Sequence, residues 1–242
     1  MSFVKRFGKN TEGHDYVVGD IHGHFSGLEA ALSSIGFQID RDRLFSVGDL
    51  VDRGPESDRV LDWLNKRWFH AVRGNHEDMA IRWPNGNMDA GNYAANGGSW
   101  NIANPPITQR EIALNLSELP IAIEVETEQG LVGIVHADCP FPSWRDFVVS
   151  LDDAHMSNSL RKAVFEVALW SRERIQSEDQ SSVSDVRAVV VGHTPLKRAA
   201  VLGNVHYIDT GEWLRDGHFT FLELEDLRFT PASSPKLDWE DA

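Results

Sequence analysis

Residues 71–78 read Ala71-Val72-Arg73-Gly74-Asn75-His76-Glu77-Asp78 (AVRGNHED), between the apolar pair Trp68-Phe69 and Met79-Ala80-Ile81, which has the composition of a first helical turn. The order is strand, turn, helix. Asn and Gly favour turns and left-handed backbone, and that accounts for two of the four residues at the junction. Arg73 and His76 are left without a reason.

The same order recurs along the chain. Tyr16-Val17-Val18 runs into Gly19-Asp20-Ile21-His22, and Leu44-Phe45-Ser46-Val47 into Gly48-Asp49. Leu131 to Val135 runs into His136, and Ala188 to Val191 into Gly192-His193. Short, continuous apolar runs of this kind fit strands buried on both faces. Ser26-Gly27-Leu28-Glu29 has capping-box spacing, with Leu28, Ala31, Leu32 and Ile35 on one face and Gly36 as a stop. Pro55 opens a second helix, with Val60, Leu61 and Leu64 facing inward. Strand alternating with helix argues for βαβ units in the first half.

From about Pro120 the rhythm changes. Ile121 to Thr127 and Leu131 to Val135 read as a hairpin around Glu128-Gln129-Gly130. Residues 141–175 read as a helical insertion, Gln176 to Asp185 as a polar loop, and late strands fall near Val205–Ile208 and Phe219–Leu224. The expectation is an α/β fold (α+β by some schemes) of two packed mixed β-sheets flanked by helices. One domain spans 1–230 with an insertion at about 141–185, and 231–242 is a disordered tail.

The 242 residues carry 23 Lys and Arg against 37 Asp and Glu, a formal net charge of −14. Such a chain is unsuited to broad electrostatic attachment to nucleic acid or anionic lipid. No apolar run has the length of a membrane span, and residues 1–15 are too polar for a signal peptide. Cys139 is the single cysteine, which excludes an internal disulfide and fits a cytoplasmic location. If so acidic a protein handles phosphate, it must concentrate positive charge locally, with metal ions or a few arginines.

Five strand ends deliver Asp20 and His22, Asp49, Asn75 and His76, His136, and His193, to the rim where layered α/β proteins bind ligands. Singly, each has a plain explanation, since Asp or Asn after Gly is usually a turn and a lone His is usually structural. The plain explanation has to succeed independently at five places. The donor set is oxygen and imidazole without a thiolate partner, which suits Mn²⁺, Fe or Zn²⁺ and disfavours a structural Cys-zinc site. Six of these seven acting as ligands would already exceed what one catalytic ion needs. They suit two divalent ions sharing a bridging carboxylate at a typical separation of about 3.5–4 Å.

Together the motifs carry a resemblance. Gly19-Asp20-Ile21-His22-Gly23, Gly48-Asp49-Leu50-Val51-Asp52-Arg53-Gly54 and Arg73-Gly74-Asn75-His76-Glu77 resemble the signature of the phosphoprotein phosphatase branch of the calcineurin-like metallophosphoesterases. His136-Ala137-Asp138, Trp170-Ser171-Arg172-Glu173-Arg174, Gly192-His193-Thr194-Pro195 and Tyr207-Ile208-Asp209-Thr210-Gly211 extend it toward the single-domain enzymes of bacteria and phage, over about residues 15–225. Five linked motifs in order are specific where one alone is weak.

The resemblance implies that Asp20 and His22 hold a first metal, Asp49 bridges, and Asn75, His136 and His193 complete a second, with Mn²⁺ foremost. It makes His76 the general acid, held by Asp52. Arg53 and Arg172 become phosphate clamps, and Arg73 either orients the Asp52–His76 pair or adds positive field. The implied activity is serine/threonine phosphatase chemistry on phosphorylated protein or peptide, by direct attack of a hydroxide held at the two metals. Symmetrical dinucleoside tetraphosphate hydrolysis is the rival within the superfamily. A non-catalytic phosphate-binding module is the rival outside enzymes. No nucleic acid, membrane or obligate partner chain is implied.

These roles also make chemical sense. A neutral Asn75 coordinates without weakening Lewis acidity, and a serine alkoxide is a poor leaving group that needs an acid. His14, His70, His155 and His218 match no ligand position, and packing or solvent roles are expected for His24 and His206. Asp209 is open between a bond beneath a ligand or arginine and a turn. Cys139 is expected to be structural. Trp63, Trp83, Trp100 and Trp170 are expected in packing, with one or two near 83–100 lining a groove. Specificity is expected in the loops at 83–107 and 137–185.

Overall fold

The computed structural model describes residues 2–230, so the expected tail at 231–242 lies outside the described residues. One sheet contains β2 (Asp15–Val18), β3 (Arg43–Ser46), β4 (Phe69–Ala71), β10 (Phe221–Glu223) and β11 (Arg228–Thr230), in the order β11-β10-β2-β3-β4. The other contains β1 (Val4–Phe7), β5 (Ala122–Thr127), β6 (Gly130–Val135), β7 (Ala188–Val191), β8 (Ala200–Leu202) and β9 (Val205–Tyr207), in the order β1-β5-β6-β7-β9-β8. Both are mixed. β2, β3 and β4 run parallel through helical crossovers, whereas β5 and β6 form the antiparallel hairpin.

Side-chain alternation explains why the sheets stack. In β7, Ala188 and Val190 face the opposite sheet, while Val189 and Val191 face helices. The inner layer joins Val17, Phe45 and Val72 to Ile123, Val132, Ile134 and Val190. Helices Phe25–Ser34, Val60–Leu64, Asn75–Arg82 and Pro106–Ser117 cover the five-stranded sheet through Phe25, Leu28, Trp63, Met79 and Leu116. Helices Trp144–Asp152 and Asn158–Trp170 cover the other through Trp144, Phe147, Val164 and Leu169. The result is four layers, with the polar residues of the strand ends gathered at one rim of the inner layer.

Several elements differ from the sequence reading. β1, β8 and β11 are three or four residues long, too short for alternation to register, and β1 hides its pattern behind Lys5-Arg6. The first helix begins at Phe25, and no capping box forms at Ser26. The N–H and hydroxyl of Ser26 donate instead to the Glu56 carboxylate, an acceptor brought by the next connection. After Pro55 a 3₁₀ turn, Ser57–Arg59, precedes the helix, and Trp63 takes the fully buried position alongside Val60. The segment 83–107 is not a plain loop. Helices Ala90–Ala95 and Ser99–Ile102 lie within it, the first capped by Asp89, despite glycines that disfavour helix.

Candidate active site

The strand ends converge through strained turns. His22, Asp49, Asp52, Arg53 and His193 hold φ values of +45°, +50°, +70°, +66° and +66°. Non-glycine residues pay about 1–3 kcal/mol each for that conformation, and it persists where the surroundings over-determine it. Here the surroundings do. The N–H groups of Ile21 and His22 donate to the Asp49 carbonyl at 3.0 and 2.8 Å. The Glu77 carboxylate accepts from the N–H groups of Asp49, Leu50 and Gly74, all at 2.8 Å. Glu77 is fully buried, and burial with nearby Asp49 pushes its pKa up to about 7 against those N–H donors. Asp49 Oδ1 in turn accepts from the His76 N–H at 3.0 Å. A Cβ at Gly74 would meet that oxygen at 2.2 Å, so no other residue fits there.

Tautomers decide whether these residues fit a metal. His136 Nδ1 lies 2.7 Å from the Val47 carbonyl, so it carries the proton and Nε2 presents a lone pair. His193 Nε2 lies 3.1 Å from the Trp170 carbonyl, so its Nδ1 presents the lone pair. Both lone pairs meet Asn75 Oδ1, at 2.8 and 2.9 Å, and the two nitrogens are 3.2 Å apart. Asp49 Oδ1 is 3.4 Å from His136 Nε2. Four acceptors facing one point repel unless a cation sits among them. The donor set fits a divalent ion, with carbonyl groups orienting the rings from behind as at metal sites generally.

A second convergence lies across Asp49. His22 Nδ1 donates to the Val51 carbonyl at 3.0 Å, leaving Nε2 3.7 Å from Asp49 Oδ2 and 4.0 Å from Asp20 Oδ2. His76 Nε2 also approaches Asp49 Oδ2, at 3.8 Å, so it lies within 4.8 Å of the ligand atoms of His22 and Asp49. Its other neighbour is a cation, Arg53 Nη2 at 3.3 Å, which makes it the poorer ligand. Asp20 accepts from the His193 N–H, which ties the two halves together.

Burial outweighs neighbouring carboxylates at the three rings and keeps them neutral. The pKa of His22 falls well below the ordinary value, His136 is lowered, and His193 falls to about 3. Burial, then Asp209 and Asp49, raise Asp20 well above the carboxylate range. Burial also raises Asp49, but the surrounding histidines outweigh it and hold the group low. Since three of those rings are neutral, dications are the better source of the positive charge Asp49 requires.

His76 differs from its neighbours. Burial lowers its pKa, but Asp49 and the hydrogen bond from Nδ1 to Asp52 Oδ2, at 2.8 Å, outweigh that and raise it. Asp52 is fully buried, and its Oδ1 accepts from Trp100 Nε1 at 2.7 Å. Arg53 and Arg172 line the same cleft, of about 270 Å³, together with Asn96, Trp170, Asp209 and Trp213. Arg172 Nη2 donates to the His193 carbonyl at 3.3 Å. Arg73 points elsewhere: its guanidinium donates to the Ser117 and Leu119 carbonyls, which leaves it bracing the helix Pro106–Ser117 and not the Asp52–His76 pair.

The model of the calcineurin-like phosphoesterase family matches residues 16–222, most of the chain and all six candidate ligands. The chain belongs to this family. Serine/threonine-protein phosphatase 1 of Salmonella typhimurium is 38% identical over 203 residues, covering 82% of this chain and 86% of the relative. Serine/threonine-protein phosphatase 2 of Escherichia coli is 32% identical over 221 residues, covering 88% and 93%. A symmetrical bis(5'-nucleosyl)-tetraphosphatase of Shewanella baltica is 31% identical, covering 68% and 58%. Among solved structures, a Saccharomyces cerevisiae protein serine/threonine phosphatase with similarity to human phosphatase PP5 superposes with a TM-score of 0.60 at 18% identity, covering 91% of this chain and 76% of that one. A protein named provisionally as a diadenosine tetraphosphatase gives 0.63 at 22% identity, covering 98% and 100%. These two likenesses establish the fold.

In this calcineurin-like phosphoesterase the sequence reading overlooked Glu77, Asn96 and Trp213. Glu77 lies inside its motif three residues after Gly74, where its carboxylate accepts the N-cap N–H, the glutamate half of a capping box without the hydroxyl half. Trp213 and Asn96 carry no local signal. Of the two roles left open for it, Asp209 takes the turn, accepting from the Gly211 N–H at 2.9 Å, and it lines the cleft with Oδ2 unpartnered. His206 lies in β9 against Phe229, away from the cleft, and Cys139 is buried with its thiol pushed up to about 12.

Proposed function

We propose that this calcineurin-like phosphoesterase is a serine/threonine protein phosphatase that uses two divalent ions, Mn²⁺ foremost with Fe or Zn²⁺ also fitting the donors, on phosphorylated protein or peptide in the cytoplasm. The carrying observation is that two clusters of inward lone pairs sharing Asp49 lie in one cleft with a carboxylate-backed imidazole and two arginines. Asp20, His22 and Asp49 would hold one ion, and Asp49, Asn75, His136 and His193 the other. Bound there, the pair supplies Lewis acidity toward phosphoryl oxygens and lowers the pKa of water.

The chain's own residues supply the rest. Arg53 and Arg172 clamp the phosphoryl oxygens, for which a planar fork is suited. As an Arg53 N–H turns to phosphate, Nη2 leaves His76 Nε2, which takes up a proton from solvent as substrate enters and gives it to the leaving alkoxide oxygen as the P–O bond to that oxygen breaks. Asp52 keeps the imidazolium oriented from Nδ1, and Trp100 fixes Asp52 and, after His76, opposes the rise that burial gives its pKa. Burial of the pair excludes water from the transfer.

Coverage of the phosphatase relatives over most of both chains favours protein substrates over dinucleoside tetraphosphates. With Mn²⁺ added, p-nitrophenyl phosphate should turn over and a chelator should abolish it. A phosphoserine peptide should be preferred to diadenosine tetraphosphate. The opposite preference would make the chain a tetraphosphatase, and inactivity across several metals would make it a binding module.

A further inference from the structure

We infer that Trp213 is the positioning residue for Arg53, holding the guanidinium by its face so that its N–H edge serves the cleft. This rests on the reading of Arg53 as a phosphate clamp. Arg53 is an exposed side chain with many rotamers, and nothing anionic pairs with it among the described residues. Its guanidinium carbon lies 3.9 Å from the Trp213 ring centroid, closer than the other cation–aromatic contacts in the described residues. A stacked guanidinium gives its face to the indole and keeps its five N–H groups for in-plane acceptors. One of them, Nη2, already faces His76 Nε2 at 3.3 Å. A carboxylate partner would have held Arg53 by those same N–H groups and competed with phosphate.

The indole is itself fixed. Its ring meets His22 edge-on at 5.4 Å and 81°, which couples it to the metal-side histidine. The loop that carries it is braced: Gly211 N–H donates to Asp209, Leu214 N–H to the Gly211 carbonyl, and Thr210 Oγ1 to the His218 carbonyl. Gly97 packs so close to Arg53 that a Cβ would meet its backbone nitrogen at 2.4 Å. Arg53 is therefore held at its backbone by Gly97 and at its tip by Trp213.

The test uses the Mn²⁺-loaded protein, p-nitrophenyl phosphate turnover and competitive inhibition by inorganic phosphate. Trp213→Ala should raise KM and the phosphate inhibition constant by about tenfold, the upper part of the range for a cation–π contact, with kcat within about threefold. Trp213→Phe should recover most of the affinity. Arg53→Ala should weaken phosphate at least as much, and adding Trp213→Ala to it should change phosphate affinity no further. Additive losses, or full affinity in Trp213→Ala, would overturn the inference while leaving Arg53 as a clamp. Unchanged phosphate affinity in Arg53→Ala would instead overturn the clamp reading itself. Mn²⁺ content and thermal unfolding of each variant identify a folding defect, and a Trp213→Ala loss that tracks either one also counts against the inference.

Discussion

Two kinds of chain meet at the cleft. One is the set of turns directly after β2, β3, β4, β6 and β7, which carry Asp20, His22, Asp49, Asp52, Arg53, Asn75, His76, His136 and His193. The other is a wall made of Asn96 and Trp100, Trp170 and Arg172, and Asp209 and Trp213, from three separate connections. The turns are bound to one another many times over, by Glu77, by the Asp49 carbonyl and carboxylate, and by Asp20 with the His193 N–H. The wall touches them through few bonds, such as Trp100 to Asp52 and Arg172 to the His193 carbonyl. Reactive groups sit where the backbone is over-determined, and the groups that tune them come from separate connections tied to those turns by few bonds.

That contrast can be broken most sharply at Asp49. Asp49→Asn should remove both ions together and cut kcat/KM by well over the roughly 100-fold typical of losing a supporting group, with metal content measured by emission spectroscopy. Retention of two tightly bound ions would dissolve the bridging role. His76→Asn should lower kcat by about 10²–10⁴-fold, the range for a general acid, while both ions stay bound. Loss of metal in that variant would put His76 among the ligands. On the wall, Trp100→Phe should lower kcat by less than about tenfold with metal content unchanged, since Asp52 keeps its bond to His76. A loss as large as that of His76→Asn would erase the distinction between turns and wall.

The smallest effect is expected outside both regions. His70 and His206 are held near pKa 4, first by burial and then by nearby Lys5 and Arg43 or by Arg187, and His206 Nδ1 has no partner. Both are depressed below the unfolded value of about 6.5, so the unfolded chain binds more protons between about pH 4 and 6.5. Stability should therefore be full above about pH 6.5 and fall as pH drops toward 4. Urea unfolding of His206→Phe across that range should show a shallower fall than the parent. His206 is buried as the site's rings are and His70 partly so, yet neither sends a lone pair to a shared point. Convergence, not burial, distinguishes a ligand.

The same contrast explains what could be read from sequence. Each turn is a local event, an apolar run, a glycine and a polar residue, so AVRGNHED announces Asn75 and His76 within eight letters. The two-sheet fold follows from the shift from βαβ spacing to the hairpin at 121–135. The wall is assembled from residues far apart in the chain. Trp100 reaches Asp52 across 48 positions, and Trp213 reaches Arg53 across 160, with no pattern near either to foretell it. Arg73 shows the opposite case, since its place in the motif suggested a bond to the Asp52–His76 pair while its guanidinium donates to the carbonyls of Ser117 and Leu119, which leaves its positive field as the other expected role. β1 was hidden because its partner, β5, begins more than a hundred residues later.

The most direct measurement is anomalous scattering from crystals soaked in Mn²⁺. Two peaks are expected about 3.5–4 Å apart. One should be bounded by Asp20, His22 and Asp49, the other by Asp49, Asn75, His136 and His193, with His76 ligating neither. A single peak, or a peak coordinated by His76, would contradict the dimetal site and the acid beside it.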